Sequence, residues 1–170
     1  IIFGYFLHIT ELIYYLRDIK VIAWTTFIFG LILFIADQRK VNQNLSANLN
    51  VKNIIFIGLL QILALIPGVS RAGITITAAR ILNFNRVDSS KIAFLLSIPA
   101  LAAASFIGIK DLFENPINFN IFFILAVILS FVFSFITVKY FLKYISNFSY
   151  NIFVFYRIIL ALILFLIIYF

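Results

Sequence analysis

Pro67-Gly68 interrupts an apolar stretch where neither side is long enough to cross a membrane, and this break constrains the fold more than any other feature. Residues 54–66 (IIFIGLLQILALI) number 13. As a helix they reach about 20 Å, short of the ~30 Å hydrocarbon core. Pro67 removes a backbone donor and pushes Ile66 out of helical geometry, while Gly68 permits a tight turn. A second helical piece is expected from about Ser70 to Leu82, again too short to span. Half-helices that meet at depth are tolerated only where protein or a water-filled cavity satisfies the freed backbone groups. Residues 54–82 therefore read as a re-entrant hairpin with a functional tip.

The surroundings of the break are those of a membrane protein. Apolar runs occupy 1–16, 21–36, 92–109, 121–138 and 152–170, and the chain is 65% hydrophobic with 11% charged residues. An ordinary soluble domain is about a quarter charged. The expected fold is all-α, a polytopic membrane helix bundle forming one integral membrane domain over residues 1–170. The runs lack the alternation of a transmembrane β-barrel. Polar stretches at 37–53 and 110–120, the latter holding Pro116, read as extramembrane loops. In a third, 83–91, Asp88 or Ser89 is expected to cap a helix starting near Lys91, and Pro99 is expected to kink that helix. The chain has no Cys, which excludes disulfides and thiolate chemistry, and its single His excludes a multi-histidine metal site within it. It also has no Met, so position 1 is not a natural translation start and a preceding segment is expected.

Charge placement tests the hairpin independently. If 54–82 enters and leaves on one side, the loops of that face carry seven basic residues: Arg39, Lys40, Lys52, Arg86, Lys91, Lys139 and Lys143. The opposite face then carries three, Arg17, Lys20 and Lys110. An ordinary span at 54–82 gives four against six, so the hairpin better satisfies the excess of Lys and Arg expected in cytoplasmic loops. The basic residues are scattered between apolar runs and form no stripe, which argues against nucleic acid as a partner.

The tip, Pro67-Gly68-Val69-Ser70-Arg71-Ala72-Gly73-Ile74-Thr75, suits an anion. A helix starting near Ser70 aims unpaired N–H groups and a positive dipole end at the break. Gly68 and Gly73 let a ligand approach the backbone, and Arg71 offers a permanently charged fork that matches phosphate. An arginine at this depth costs at least ~2.5–3.5 kcal/mol, which favours a functional role over snorkelling. Ser70 and Thr75 add hydroxyls, though Ser70 also reads as an N-cap and Thr75 as a back-bonded threonine. Gln61 is expected to form interhelical hydrogen bonds and to lie with Gly68 and Gly73 on the substrate side. Arg80 reads as a snorkelling residue, Arg157 as snorkelling or paired with a carboxylate, and His8 with Glu11 as a polar contact between helices.

The run from Gly58-Leu59-Leu60-Gln61 through Pro67-Gly68-Val69-Ser70-Arg71-Ala72-Gly73-Ile74-Thr75, followed by Ala93-Phe94-Leu95-Leu96-Ser97-Ile98-Pro99, resembles the second signature of the undecaprenyl-diphosphate phosphatases, the bacitracin-resistance family. Leu33-Phe34-Ile35-Ala36-Asp37 and Phe155-Tyr156-Arg157-Ile158 fit the same pattern. The resemblance implies one half of an inverted repeat, in a bacterial inner-membrane enzyme whose site opens to the periplasm. It further implies hydrolysis of an isoprenoid diphosphate lipid, help from a divalent cation (Mg or Ca), and a second copy of the chain as a candidate partner beside the membrane lipids. Arg71 would bind the diphosphate, with Ser70 and Thr75 as active-site hydroxyls. The family's first signature, a Glu-rich segment ending in Pro-x-Ser-Ser-x-Gly-His, has no match here, so a shortened member is expected. Ala72 stands where relatives carry a second Ser, and Lys91 where they tend to carry Glu. A lipid-phosphate transporter or flippase, built on similar broken helices, and a catalytically inactive fragment are the alternatives.

Overall fold

The computed structural model describes residues 16–41, 43, 49–114 and 121–170. The His8 and Glu11 contact, the loop around Pro116 and residues 42 and 44–48 of the 37–53 stretch lie outside the described residues. Among the described residues six helices follow in order: α1 (Ile19–Asp37), α2 (Val51–Gln61), α3 (Arg71–Ile81), α4 (Arg86–Glu114), α5 (Ile121–Asn147) and α6 (Asn151–Tyr169). A single 3-10 turn, Ile62–Leu65, closes α2. No β-strand occurs among the described residues. The fold is an all-α polytopic membrane protein in which α1, residues 86–106 of α4, α5 and α6 are each long and apolar enough to cross a bilayer.

Helix ends follow local chemistry. Asp18 caps α1 by accepting from the Lys20 amide at 2.7 Å, and Asn50 caps α2 by accepting from the Asn53 amide at 2.9 Å. The helix expected near Lys91 begins earlier, at Arg86, because Asn85 rather than Asp88 or Ser89 supplies the cap, accepting from the Asp88 amide at 2.8 Å. The connection from α3 is accordingly short, with Asn83 in the left-handed region at φ 65°.

Polarity and burial run opposite to the habit of a soluble protein. The short α3 contains Thr75, Thr77 and Arg80, yet every residue from Ile74 to Arg80 is buried. It packs against α1, α2 and α4, with Ile76 in a cluster shared with Leu33, Ala93 and Val154, and Ala78 and Ala79 in one shared with Ile57, Phe84 and Ile92. The highly apolar α5 buries Ile145 alone. Its bare face is ordinary for a helix whose solvent is lipid, while the polar helix is kept from the hydrocarbon by its neighbours.

Arg80 corrects the expectation of snorkelling. The residue is 2% exposed, and its guanidinium donates to the carbonyls of Phe84 at 2.5 Å, Asp37 at 2.8 Å and Arg39 at 2.8 Å. The reason is the enclosure of α3, which buries the side chain, while carbonyls at the ends of α1 and α3 need a donor. Nearby, the Asp37 carboxylate takes the Arg86 fork at 2.8 and 3.0 Å and the Tyr150 amide at 3.2 Å, which ties α1, α4 and the α5–α6 turn together. Burial pushes the Tyr150 phenol well above its ordinary range, so it stays protonated and donates to the Arg86 carbonyl at 2.7 Å.

Candidate functional site

The chain leaves helical geometry at Ile66, with ψ 123°, and regains it at Arg71, so residues 66–70 form the break expected from Pro67-Gly68. Buried carbonyls there need donors, and each has one. The Ile66 carbonyl accepts from the Val69 amide at 3.3 Å and the Pro67 carbonyl from Thr25 Oγ1 at 2.6 Å. Arg157 Nη2 donates to the carbonyls of Gly68 at 2.5 Å and Val69 at 2.7 Å, with Thr26 Oγ1 3.4 Å from the former. The break is thus held by α1 on one side and α6 on the other. Sequence reasoning gave Thr25 and Thr26 no role and expected Arg157 to snorkel or meet a carboxylate. Among the described residues it does neither, because backbone carbonyls freed by the missing helical turns claim its donors. The available signal was the principle that such carbonyls must be satisfied, together with two adjacent threonines inside an apolar run.

Gly68 is required at its position. Its φ is 89°, and a Cβ there would crowd Thr25 Oγ1, the Ile22 carbonyl at 2.7 Å and Thr26 Oγ1 at 2.9 Å. Close approach also explains Gly73, where a Cβ would stand 3.0 Å from Arg157 Nη1. Ser70 caps α3 by accepting from the Gly73 amide at 3.3 Å. It does so at φ 66°, which is uncommon for a residue with a Cβ and costs on the order of 1–3 kcal/mol.

A cavity of about 550 Å³ opens against the start of α3. Gly68, Ser70, Ala72, Gly73 and Arg157 line it on the side of the break. Phe94, Phe141, Phe153 and Leu160 contribute to an apolar wall. The structure therefore brings Gly68, Ser70 and Gly73 together. Arg71 lies between two lining residues with its own side chain exposed, and among the described residues it meets no carboxylate within ion-pair distance. Thr75 and Gln61 are not on the cavity wall. Thr75 is 1% exposed and donates to the Arg71 carbonyl at 2.8 Å, the back-bonded arrangement. Gln61 is half-buried at the end of α2.

A divalent cation needs a cluster of carboxylate or imidazole donors. Among the described residues no group of three such side chains exists, and the buried Asp37 is already held by two arginines. These residues do not fit a metal cage.

Arg157 should matter for stability as well as for the site. Arg157→Ala leaves two carbonyls without their donor, and a buried unsatisfied acceptor costs about 1–3 kcal/mol. Denaturant unfolding in detergent should show a loss in that range, with Arg157→Lys recovering part because an ammonium lacks the planar fork. Unchanged stability in Arg157→Ala would mean that water or Thr26 replaces the arginine without loss.

Comparison with known proteins adds an independent line. The chain is 56% identical to the undecaprenyl-diphosphatase of Pelagibacter ubique (strain HTCC1062), an alignment covering 99% of this chain and 66% of that protein. It is 43% identical to that of Elusimicrobium minutum (strain Pei191) over 87% of this chain and 56% of the relative. For the undecaprenyl-diphosphatase of Ruegeria sp. (strain TM1040) the figures are 49%, 61% and 39%. The chain thus spans between 39% and 66% of the length of these relatives. Over residues 1–163 it matches the family described as Bacitracin resistance protein BacA, and it belongs to that family.

Proposed function

We propose that this chain takes part in hydrolysing undecaprenyl diphosphate to undecaprenyl phosphate and inorganic phosphate, with the diphosphate bound at the break. One observation carries the reading: the start of α3 faces a cavity whose remaining wall is largely aromatic and aliphatic. A lipid diphosphate has the same two parts, an anionic head and a long apolar chain. The head suits the N–H groups at the start of α3, the Ser70 hydroxyl and Arg71, which together stabilise the negative charge on the phosphoryl and leaving oxygens. Water adds to the terminal phosphorus as its bond to the bridging oxygen breaks, so the lipid leaves as a monophosphate. Undecaprenyl as the chain is supported by the names of the relatives.

In this reading residues 54–82 fold back within the membrane from one face, and the site opens toward the periplasmic side of a bacterial inner membrane. The seven-to-three division of basic residues supports that orientation.

The test is phosphate release in detergent, where a transporter has no second side to deliver to. Two proteins are compared: the chain as it stands, and a chimera in which it replaces the matching stretch of the Pelagibacter ubique relative. The chimera is expected to release phosphate from undecaprenyl diphosphate. Silence from the chimera while the parent relative is active would sink the phosphatase reading and favour transport or an inactive scaffold.

A further inference from the structure

Away from the break, α1, α3 and α5 end and α4 begins around a second cavity of about 550 Å³. Its wall holds three guanidinium groups, Arg39, Arg80 and Arg86, against one carboxylate, Asp37. That carboxylate is fully buried and is spent on the Arg86 fork, on the Tyr150 amide and on Arg80, whose Nε lies 3.4 Å away. Donors remain in excess. Among the described residues the exposed Arg39 guanidinium and Arg86 Nη1 have no partner, and the buried Arg80 Nε makes no hydrogen bond. The cavity lies where membrane-crossing helices end, on the face with the excess of Lys and Arg.

We propose that this cavity binds a phosphate oxyanion, and specifically the headgroup of an anionic phospholipid from the adjoining leaflet. Basic pockets between transmembrane helices recognise such headgroups by charge, and guanidinium forks match phosphate oxygens in pairs. The site is separate from the break, at the opposite end of α3, and its occupancy is independent of whether the break hydrolyses anything.

The chain, purified in zwitterionic detergent, is titrated with phosphatidylglycerol, phosphatidylcholine and inorganic phosphate, and adducts are followed by native mass spectrometry. A one-to-one phosphatidylglycerol adduct is expected that phosphatidylcholine does not match. Arg39→Gln should weaken it about fivefold, the effect of one basic residue near an anionic lipid, and Lys52→Gln on α2 should leave it unchanged. Arg39 is chosen because its exposed side chain bears no structural bond while its carbonyl, which Arg80 uses, survives the substitution. Lipid retained against excess phosphate assigns the site to a headgroup. Lipid displaced by it retains the oxyanion site and overturns the headgroup as occupant. Equal weakening by Arg39→Gln and Lys52→Gln, or no preference for phosphatidylglycerol together with no phosphate binding, overturns the site itself.

Discussion

Arg71→Ala is expected to lower phosphate release from undecaprenyl diphosphate by roughly 10²–10³-fold, the range for removing one preorganised donor from a developing charge. The side chain is exposed, so truncation leaves no buried group unsatisfied and the folded fraction should hold. Charge-assisted bonds are about twice as strong as neutral ones, so Ser70→Ala should lose clearly less. Arg71→Lys keeps the charge without the fork and should recover only part. Thr75→Ala should act on stability before turnover, because its hydroxyl is already engaged by the Arg71 carbonyl. The measurement is turnover of the chimera in detergent, normalised to folded protein. Wild-type turnover in a folded Arg71→Ala protein would remove the arginine from the reaction.

The largest loss of stability should come from Asp37→Ala. The carboxylate is fully buried, with Arg86 at 2.8 Å and Arg80 at 3.4 Å. Deleting it leaves a buried guanidinium without its counter-charge and facing a second one. Breaking a buried pair by removing one partner typically costs about 3–5 kcal/mol. Asp37→Asn keeps an acceptor for the Tyr150 amide and should lose less. Unfolding in mixed micelles, followed by helicity against denaturant, reads both. A loss below about 1 kcal/mol for Asp37→Ala, the median for an exposed pair, would show that water reaches the network.

The break and the buried arginines divide what the sequence discloses from what it conceals. The break at 66–70 was legible because Pro67 and Gly68 act on their own backbone, and the Ser70 cap follows from the same local chemistry. Arg71 at the start of α3 was legible for the same reason. Arg80 and Arg157 were not, because their surroundings depend on which helices pack together, and apolar periodicity does not encode that. Arg80 looked like a helix-end cation until α1 and α4 closed around α3. Arg157 looked like a charge near an interface until the break was placed beside α6. The cap of α4 is Asn85 rather than Asp88 or Ser89, so the helix begins at Arg86 rather than near Lys91.

The bonds of Arg157 have an electrical consequence. A guanidinium does not give up its proton in a protein, and this one directs its hydrogen bonds to neutral carbonyls. Its charge therefore persists where the dielectric is low, with no described carboxylate near enough to cancel it. Among the described residues the circuit is left open by one negative charge. An anion that enters the cavity closes it, so the tightness of the ligand and the cohesion of the helices around the break rise and fall as one quantity.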